Sequence, residues 1–407
     1  MTTPRPTRGT AIAAPAREAR PRTAAPGAGA RASGGPPPTG WWALPEGRRF
    51  FMLVYALALL GVVFVFSSSF PRAGRPTSTD DPFYYFRHQL VALVLGFVAM
   101  MIVSRLSLRQ LQWGSLGAMA VGMLLVLALF KFGTTVNGAR NWMSFGPIRF
   151  QPAELTKVAY IGFMATLMAC RSSFRERWQP LAWMGGVTAL LVLVLIKQND
   201  LGMAMLIMGT ALGMAILGGM KLRYWFPSLL GILTLGLLAA HMEPYRWARL
   251  QAYWDLENHR SGVGYHVYGM LISLARGGPL GTGFGMSRDK WTTLPVPHTD
   301  SIFCVIGGEL GLWGGLGVIA LLTLVVVWAF QIARHSPDRL GWYMAAGSGL
   351  ALGLQSFINI GVATATIPVT GLTLPFISYG GTSLIACLLS AGMVLAVASA
   401  SSKTVAK

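Results

Sequence analysis

The sequence predicts an all-α integral membrane protein with ten transmembrane helices and one large extracytoplasmic loop between helices 7 and 8. Three observations carry that prediction. The chain of 407 residues is 53% hydrophobic and only 12% charged, against roughly 25% charged in soluble domains. Its apolar runs are long and unbroken, and backbone groups in lipid must be satisfied inside the segment, so helices are favoured over a barrel. Basic residues recur on alternate short connections, which is the cytoplasmic bias of Lys and Arg.

Residues 1–45 are Pro, Ala, Arg, Gly and Thr with almost no large apolar side chain before Trp41. Such a segment cannot bury enough surface to fold and reads as a disordered cytoplasmic tail. It lacks the apolar stretch and cleavage site of a signal peptide. The membrane domain covers 46–402, with spans expected at 50–70, 85–104, 113–132, 153–171, 180–196, 201–220, 224–241, 301–333, 341–362 and 379–400. A short C-terminal tail, 403–407, follows. Arg105 and Arg109, Arg171, Arg175 and Arg177, Lys221 and Arg223, and Arg334 and Arg339 place their connections, with both termini, in the cytoplasm. The stretches 71–84, 133–152, 197–200, 242–300 and 363–378 then face outward from the cytoplasmic membrane. The 301–333 run exceeds one crossing and is expected to tilt or extend beyond the bilayer. The net charge of +19 follows from the basic tail and inner loops, so no nucleic-acid partner is expected. Cys170, Cys304 and Cys387 sit in apolar runs without disulfide or metal spacing.

The chemistry-bearing stretch is Gly281 to Gly311, GTGFGMSRDKWTTLPVPHTDSIFCVIGGELG. Its alternate glycines let backbone bend and approach closely, while Arg288 and Lys290 offer cations to an anionic group. Asp300 stands where the chain enters hydrocarbon; it reads equally as a helix cap and as a catalytic acid. Asn137 to Trp142 is followed by Gln151 to Lys157, where Pro152 and Glu154 suit a helix start. Glu154 and Lys157 lie one turn apart and form an ordinary pair by spacing. Yet Lys157 sits a turn inside the bilayer, where a charge faces a cavity or a partner. Asp200 reads as an N-cap. Glu243 to Arg246 with Arg249, Tyr253 and Trp254 fit an interfacial amphipathic helix or a groove for phosphate and sugar. The glycines are not a dinucleotide fingerprint, and there is no Walker loop, zinc-protease motif or nucleophile elbow.

The runs NGARNW, QPAELTK, KQNDLG, EPYR, GTGFG with SRDK, PHTDSIF, GGELG and TLPFISYGGTS resemble the SEDS (shape, elongation, division and sporulation) membrane glycosyltransferases. The resemblance covers everything but the N-terminal tail. It implies a polymerase that builds peptidoglycan glycan from lipid II outside the membrane, with a class B penicillin-binding protein as partner. Other divisome or elongasome membrane proteins and membrane lipids complete the implied surroundings. The family's essential acid maps onto Asp300, with His298 in the same motif. Its QPAE and NGA-RW positions map onto Glu154, Lys157, Arg140 and Trp142, and its SYGGSS motif onto Ser378 to Ser383. Val296 stands where the family motif has a second acid. EPYR, SRDK and TLPFISYGG resemble the division branch, and Gly264-Tyr265-His266 the elongation branch.

The implied reaction is an inverting displacement, with Asp300 accepting the proton of an attacking sugar hydroxyl. Arg140, Arg246, Lys157, Arg288 and Lys290 are the expected contacts to the pyrophosphate by donor chemistry and outer placement. No cofactor is required, and a divalent cation such as Mg2+ is left open. The rival reading is a lipid II flippase, which calls for polar residues through the midplane and internal repeats.

Overall fold

The computed structural model describes residues 40–73, 81, 83–136, 138–146, 148–170, 179–241, 244–260, 262 and 264–405. Of the tail expected to be disordered, 1–45, residues 1–39 lie outside them, while 40–45 are ordered, with Trp41 buried. Also outside them are the arginines of 171–178, part of the reading of which side faces the cytoplasm.

After a turn of 3-10 helix at Trp41–Ala43, the helices are α1 (Pro45–Ala73), α2 (Tyr84–Arg105) and α3 (Leu108–Phe132). A small antiparallel meander follows: β1 (Thr134–Val136), β2 (Ala139–Phe145) and β3 (Ile148–Phe150). Then come α4 (Pro152–Cys170), α5 (Gln179–Lys197), α6 (Leu201–Leu217) and α7 (Leu222–His241). The large connection holds α8 (Pro244–Trp254), α9 (Tyr265–Gly277) and the single turn α10 (Asp289–Thr292). The chain ends with α11 (Ile302–Arg334), α12 (Arg339–Ala363) and α13 (Gly381–Val405).

Among the described residues seven helices are long and apolar enough to cross a membrane: α1, α2, α3, α4, α11, α12 and α13. The other three expected spans fall on the shorter apolar stretches Ala182–Lys197, Leu201–Leu217 and Arg223–Leu238. Burial sorts the long helices. The apolar windows of α4, α12 and α13 are 72%, 72% and 78% buried, against 22% for both α2 and α3. The first three form the centre, and the outer faces of α2 and α3 are left for lipid. Where α3 meets α4, Gly122 faces Thr156 and Gly162 faces Ser115, small residues that permit close approach.

Helix starts follow local chemistry. Ser107 and Gln110 form a reciprocal capping box on α3, and Asp338 caps α12 through Gly341 N–H. Asp200 caps α6 through Met203 N–H at 3.1 Å, as its position predicts.

The polar connections gather at one end of the bundle. Arg140 N–H donates to the Gln198 carbonyl at 3.0 Å and Tyr379 N–H to that of His298 at 2.8 Å. The Tyr253 hydroxyl donates to the Thr366 carbonyl at 2.9 Å. At the opposite end Gly40 N–H donates to Ser402 Oγ at 2.9 Å, so residues just ahead of α1 pack on α13.

The excess length of 301–333 is resolved by a break in α11. Gly311 has φ 70° and ψ −165°, a region essentially confined to glycine. The Gly308 and Glu309 carbonyls accept from Thr282 and Gly283 N–H at 3.0 Å each, and Leu312 N–H donates to the Gly278 carbonyl at 2.9 Å. A Cβ on Gly311 would stand 2.3 Å from Gly281 N, and one on Gly281 would stand 2.2 Å from the Glu309 carbonyl oxygen. The two glycines thus weld the Gly281–Gly285 loop to the broken helix, with the freed backbone groups paired inside protein. Residues 312–334 remain as a piece of ordinary spanning length.

Candidate functional site

Asp300 lies at the polar end, immediately before α11. The N-cap of that helix is Ser301, with no side-chain cap hydrogen bond, so the capping alternative for Asp300 is not realised. Its carboxylate accepts from Thr299 Oγ1 at 3.0 Å. The nearest cationic candidate, His266 Nε2 on α9, is 3.8 Å away and also 2.8 Å from Ser301 Oγ. The side chain is 13% exposed. Asn359 on α12 donates from Nδ2 to the Asp300 carbonyl at 3.1 Å and to that of Leu372 at 2.7 Å. The carboxylate is thus positioned through its own backbone, with the Thr299 hydroxyl and the His266 ring as its neighbours.

Glu154 and Lys157 form a buried ion pair at 2.6 Å, with side chains 4% and 3% exposed. The Lys157 ammonium also donates to Gln355 Oε1 on α12 at 2.7 Å. Gln355 Nε2 in turn donates to the Thr373 carbonyl at 2.9 Å, and Thr373 Oγ1 lies 2.7 Å from Ser383 Oγ. The charge inside the bilayer therefore meets a partner on its own helix and a second one across the bundle. This relay ties α4 and α12 to the connection leading into α13.

Lys290, expected among the pyrophosphate contacts, is placed otherwise. Its ammonium is buried and donates to Glu309 Oε1 at 2.8 Å, the Gly285 carbonyl at 2.7 Å and Ser67 Oγ at 3.0 Å. Three bonds fill its three donors, so it holds the glycine loop between α1 and α11. Lys157 is similarly engaged.

The remaining expected residues separate by exposure. Arg140 is exposed on β2 and caps α3, donating from Nε to the Gly133 carbonyl at 3.0 Å and from its terminal nitrogen to that of Lys131 at 3.3 Å. Trp142 is half-buried two residues along, its carbonyl accepting from Thr134 Oγ1 at 3.2 Å. Arg288 is exposed beside α10. His298 is buried, its ring 4.4 Å from that of Tyr85 and 5.4 Å from that of Tyr379. Ser378 is buried and closes a turn, Oγ accepting from Leu374 N–H at 2.8 Å. Arg246 lies on α8, with its side chain outside the described residues.

Asp200 is a hub beyond its capping role. Its Oδ2 accepts from Asn141 Nδ2 and Gln151 Nε2, both at 2.8 Å, joining β2, the start of α4 and the start of α6. Burial pushes this carboxyl above the ordinary range, and the three donors pull the other way.

Gln355, Asn359 and Glu309 carry contacts that sequence reading did not assign. Their signal was present: a polar or charged side chain inside an apolar span requires a partner. Gln355 and Asn359 are also one turn apart on α12. Among the described residues no group of three His, Cys, Asp or Glu side chains converges as metal ligands.

A bundle of long apolar helices with its polar connections gathered at one end defines an integral membrane protein. Residues 48–403 match the cell cycle protein family of FtsW, RodA and SpoVE, and the chain belongs to that family, the SEDS proteins. It is 36% identical over 358 residues to the probable peptidoglycan glycosyltransferase FtsW of Halorhodospira halophila, covering 86% of this chain and 89% of that one. It is 33% identical over 354 residues to stage V sporulation protein E of Bacillus subtilis, covering 85% and 95%. Among solved structures, the rod shape determining protein RodA of Thermus thermophilus is similar with a TM-score of 0.65 and 29% identity, over 86% of this chain and 95% of that one. A chain from a peptidoglycan synthase complex, described as coordinating polymerization and crosslinking, has a TM-score of 0.70 and 30% identity, over 86% and 97%.

Proposed function

We propose that this protein is a peptidoglycan glycosyltransferase that joins lipid II units into glycan strands at the outer face of the cytoplasmic membrane during division. The observation that carries the reading is Asp300: a carboxylate at the polar end, fixed through its backbone by Asn359, outside the helix cap, with His266 Nε2 beside it at 3.8 Å. A sugar hydroxyl of the acceptor forms its bond to the donor's anomeric carbon and yields its proton to Asp300. The bond to the diphosphate oxygen breaks, and the diphosphate leaves with the electron pair. One displacement inverts the donor's configuration. A positioned base of this kind contributes typically about 10²–10⁴-fold.

The leaving diphosphate already carries charge and needs cations more than an acid. Lys157 and Lys290 are engaged in buried pairs, which leaves exposed Arg140 as the better contact to the leaving group, with Arg246 as a second. Glu154, Lys157, His298 and Ser378 act by holding the walls of the site. Lipid tails lie between helices, since a polyprenyl chain in water is costly. Ten spans, with both termini and the basic connections cytoplasmic, put Asp300 on the outer side. The similarity to a synthase-complex chain supports a class B penicillin-binding protein as partner, with other division proteins beside it. Names among the relatives and the EPYR and SRDK runs support the division branch over elongation.

The test is polymer formation from purified lipid II by wild type and Asp300→Asn, each with and without the partner. A loss of about two orders of magnitude in rate is expected for the Asn variant, which keeps the shape and accepts the Thr299 hydrogen bond. Near-normal polymer would end the case for Asp300. A cysteine replacing Ser261 should react with an impermeant reagent from outside and one replacing Ser172 should not.

A further inference from the structure

The single turn α10 is held from both sides. Its acid, Asp289, is buried and accepts from Arg276 of α9 at 2.5 Å, with Thr293 Oγ1 on the same oxygen at 3.1 Å. Its cation, Lys290, is buried against Glu309 of α11. The two pairs run in opposite senses, the anion of α10 to α9 and the cation of α10 to α11. One turn of helix has no cooperativity of its own, so these pairs set its orientation.

That orientation leaves two guanidinium groups outward. Arg288 is exposed, and among the described residues its side chain forms no ion pair. Arg276 keeps 58% of its side chain exposed and directs one nitrogen to Asp289, so most of its five donors remain. Around the turn, Arg276 cancels Asp289 and Lys290 cancels Glu309, which leaves the charge of Arg288 uncompensated. One fork is bonded to Asp289 and the other belongs to the residue just before it, and two such forks suit an anion with several oxygens.

Helix α9 sets the distance from the reacting end. His266 of α9 lies 3.8 Å from Asp300, and Arg276 follows ten residues later on the same helix. At 1.5 Å per residue, that separation is about 15 Å. This is too far for the diphosphate that leaves the carbon attacked at Asp300. It is the reach of a disaccharide lying between a hydroxyl at one end and an anomeric diphosphate at the other. We propose that Arg276 and Arg288 form the diphosphate subsite of the acceptor, the substrate molecule whose distal sugar hydroxyl is presented to Asp300. The assignment rests on the polymerase reading above and adds to it which of the two substrates these arginines hold.

The experiment measures chain extension with lipid II as acceptor and, separately, with the same disaccharide lacking its diphosphate. Wild type is expected to prefer the diphosphate-bearing acceptor strongly. Arg276→Ala/Arg288→Ala should raise the acceptor KM about tenfold or more, leave kcat within about threefold, and lose most of that preference. An unchanged acceptor KM, or a fall in kcat that is the same with both acceptors, would overturn the assignment. The variant is run in phosphatidylcholine vesicles and in vesicles containing phosphatidylglycerol. A defect seen only with phosphatidylglycerol would mean that the arginines hold bilayer headgroups instead, and would also overturn it. Arg288→Ala alone, at an exposed position, guards against misfolding and should show a partial shift in the same direction. If wild type makes no polymer, the polymerase reading fails. Calorimetric binding of inorganic pyrophosphate to wild type and the double variant then decides the anion site by itself, a difference supporting it and identical titrations sinking it.

Discussion

Asn359 holds Asp300 by its backbone: one amide of α12 donates to the Asp300 carbonyl at 3.1 Å and to the Leu372 carbonyl at 2.7 Å. The side chain proposed as base is thus set in place from across the bundle. The same contact sets the connection that leads to Tyr379.

Asn359→Leu removes both donors and leaves two carbonyls wanting. Each lost partner costs about 1–3 kcal/mol where the group stays buried. The expected result is a lower melting temperature together with a fall of more than about tenfold in polymerisation per folded molecule, because a misplaced base loses its geometry. Thermal unfolding in detergent and a lipid II assay on the same preparation check this. Normal activity would show that Asp300 needs no such support.

For the Glu154–Lys157 pair, Lys157→Met strands a carboxylate inside the bundle. Breaking a buried pair by removing one partner costs about 3–5 kcal/mol. Glu154→Gln/Lys157→Met removes both charges and is expected to recover most of that stability. The double variant should still lose activity if the relay through Gln355 to Thr373 shapes the site. Melting temperatures of the single and double variants decide the first point, and polymer yield the second.

Gly311→Ala and Gly281→Ala should each prevent accumulation of stable protein. A non-glycine residue at such backbone angles costs about 1–3 kcal/mol, and each new Cβ also meets backbone closer than 3 Å. Gly117 of α3 has nothing within 4 Å of an added Cβ. Gly117→Ala is therefore the control and should be neutral or stabilising by about 0.5–1 kcal/mol. Expression level and detergent melting curves read all three.

Asp200 makes a pH prediction. Its folded carboxyl is raised above the ordinary value by burial, so between the ordinary and raised values the folded state binds more protons than the unfolded one. Stability then falls as pH rises through that window and is level above it. Asp200→Asn removes the slope while weakening the links to Asn141 and Gln151. Melting temperature measured from about pH 4 to pH 7 should decline for wild type more than for the variant.

Read from the chain alone, composition and the length of the apolar runs determined the membrane class, because lipid admits few backbone arrangements. Local rules also located the α4 start at Pro152, the Asp200 cap and the one-turn spacing of Glu154 and Lys157, since these depend on neighbours within a few residues. Motif resemblance picked out Asp300, Arg140 and the glycine loop. Spacing left Asp300 poised between cap and catalyst, and only the folded chain, with Ser301 at the N-cap, removes the first reading. Tertiary structure likewise decided which cations are available. Lys290 and Arg288 sit two positions apart in one run, yet one is buried against Glu309 and the other faces outward. Nothing local distinguishes them, because a buried ammonium is stabilised by partners that lie 19 residues away at Glu309 and 223 residues away at Ser67. The break at Gly311 is of the same kind: the backbone groups it frees are paired by a loop some thirty residues earlier in the chain, around Gly281.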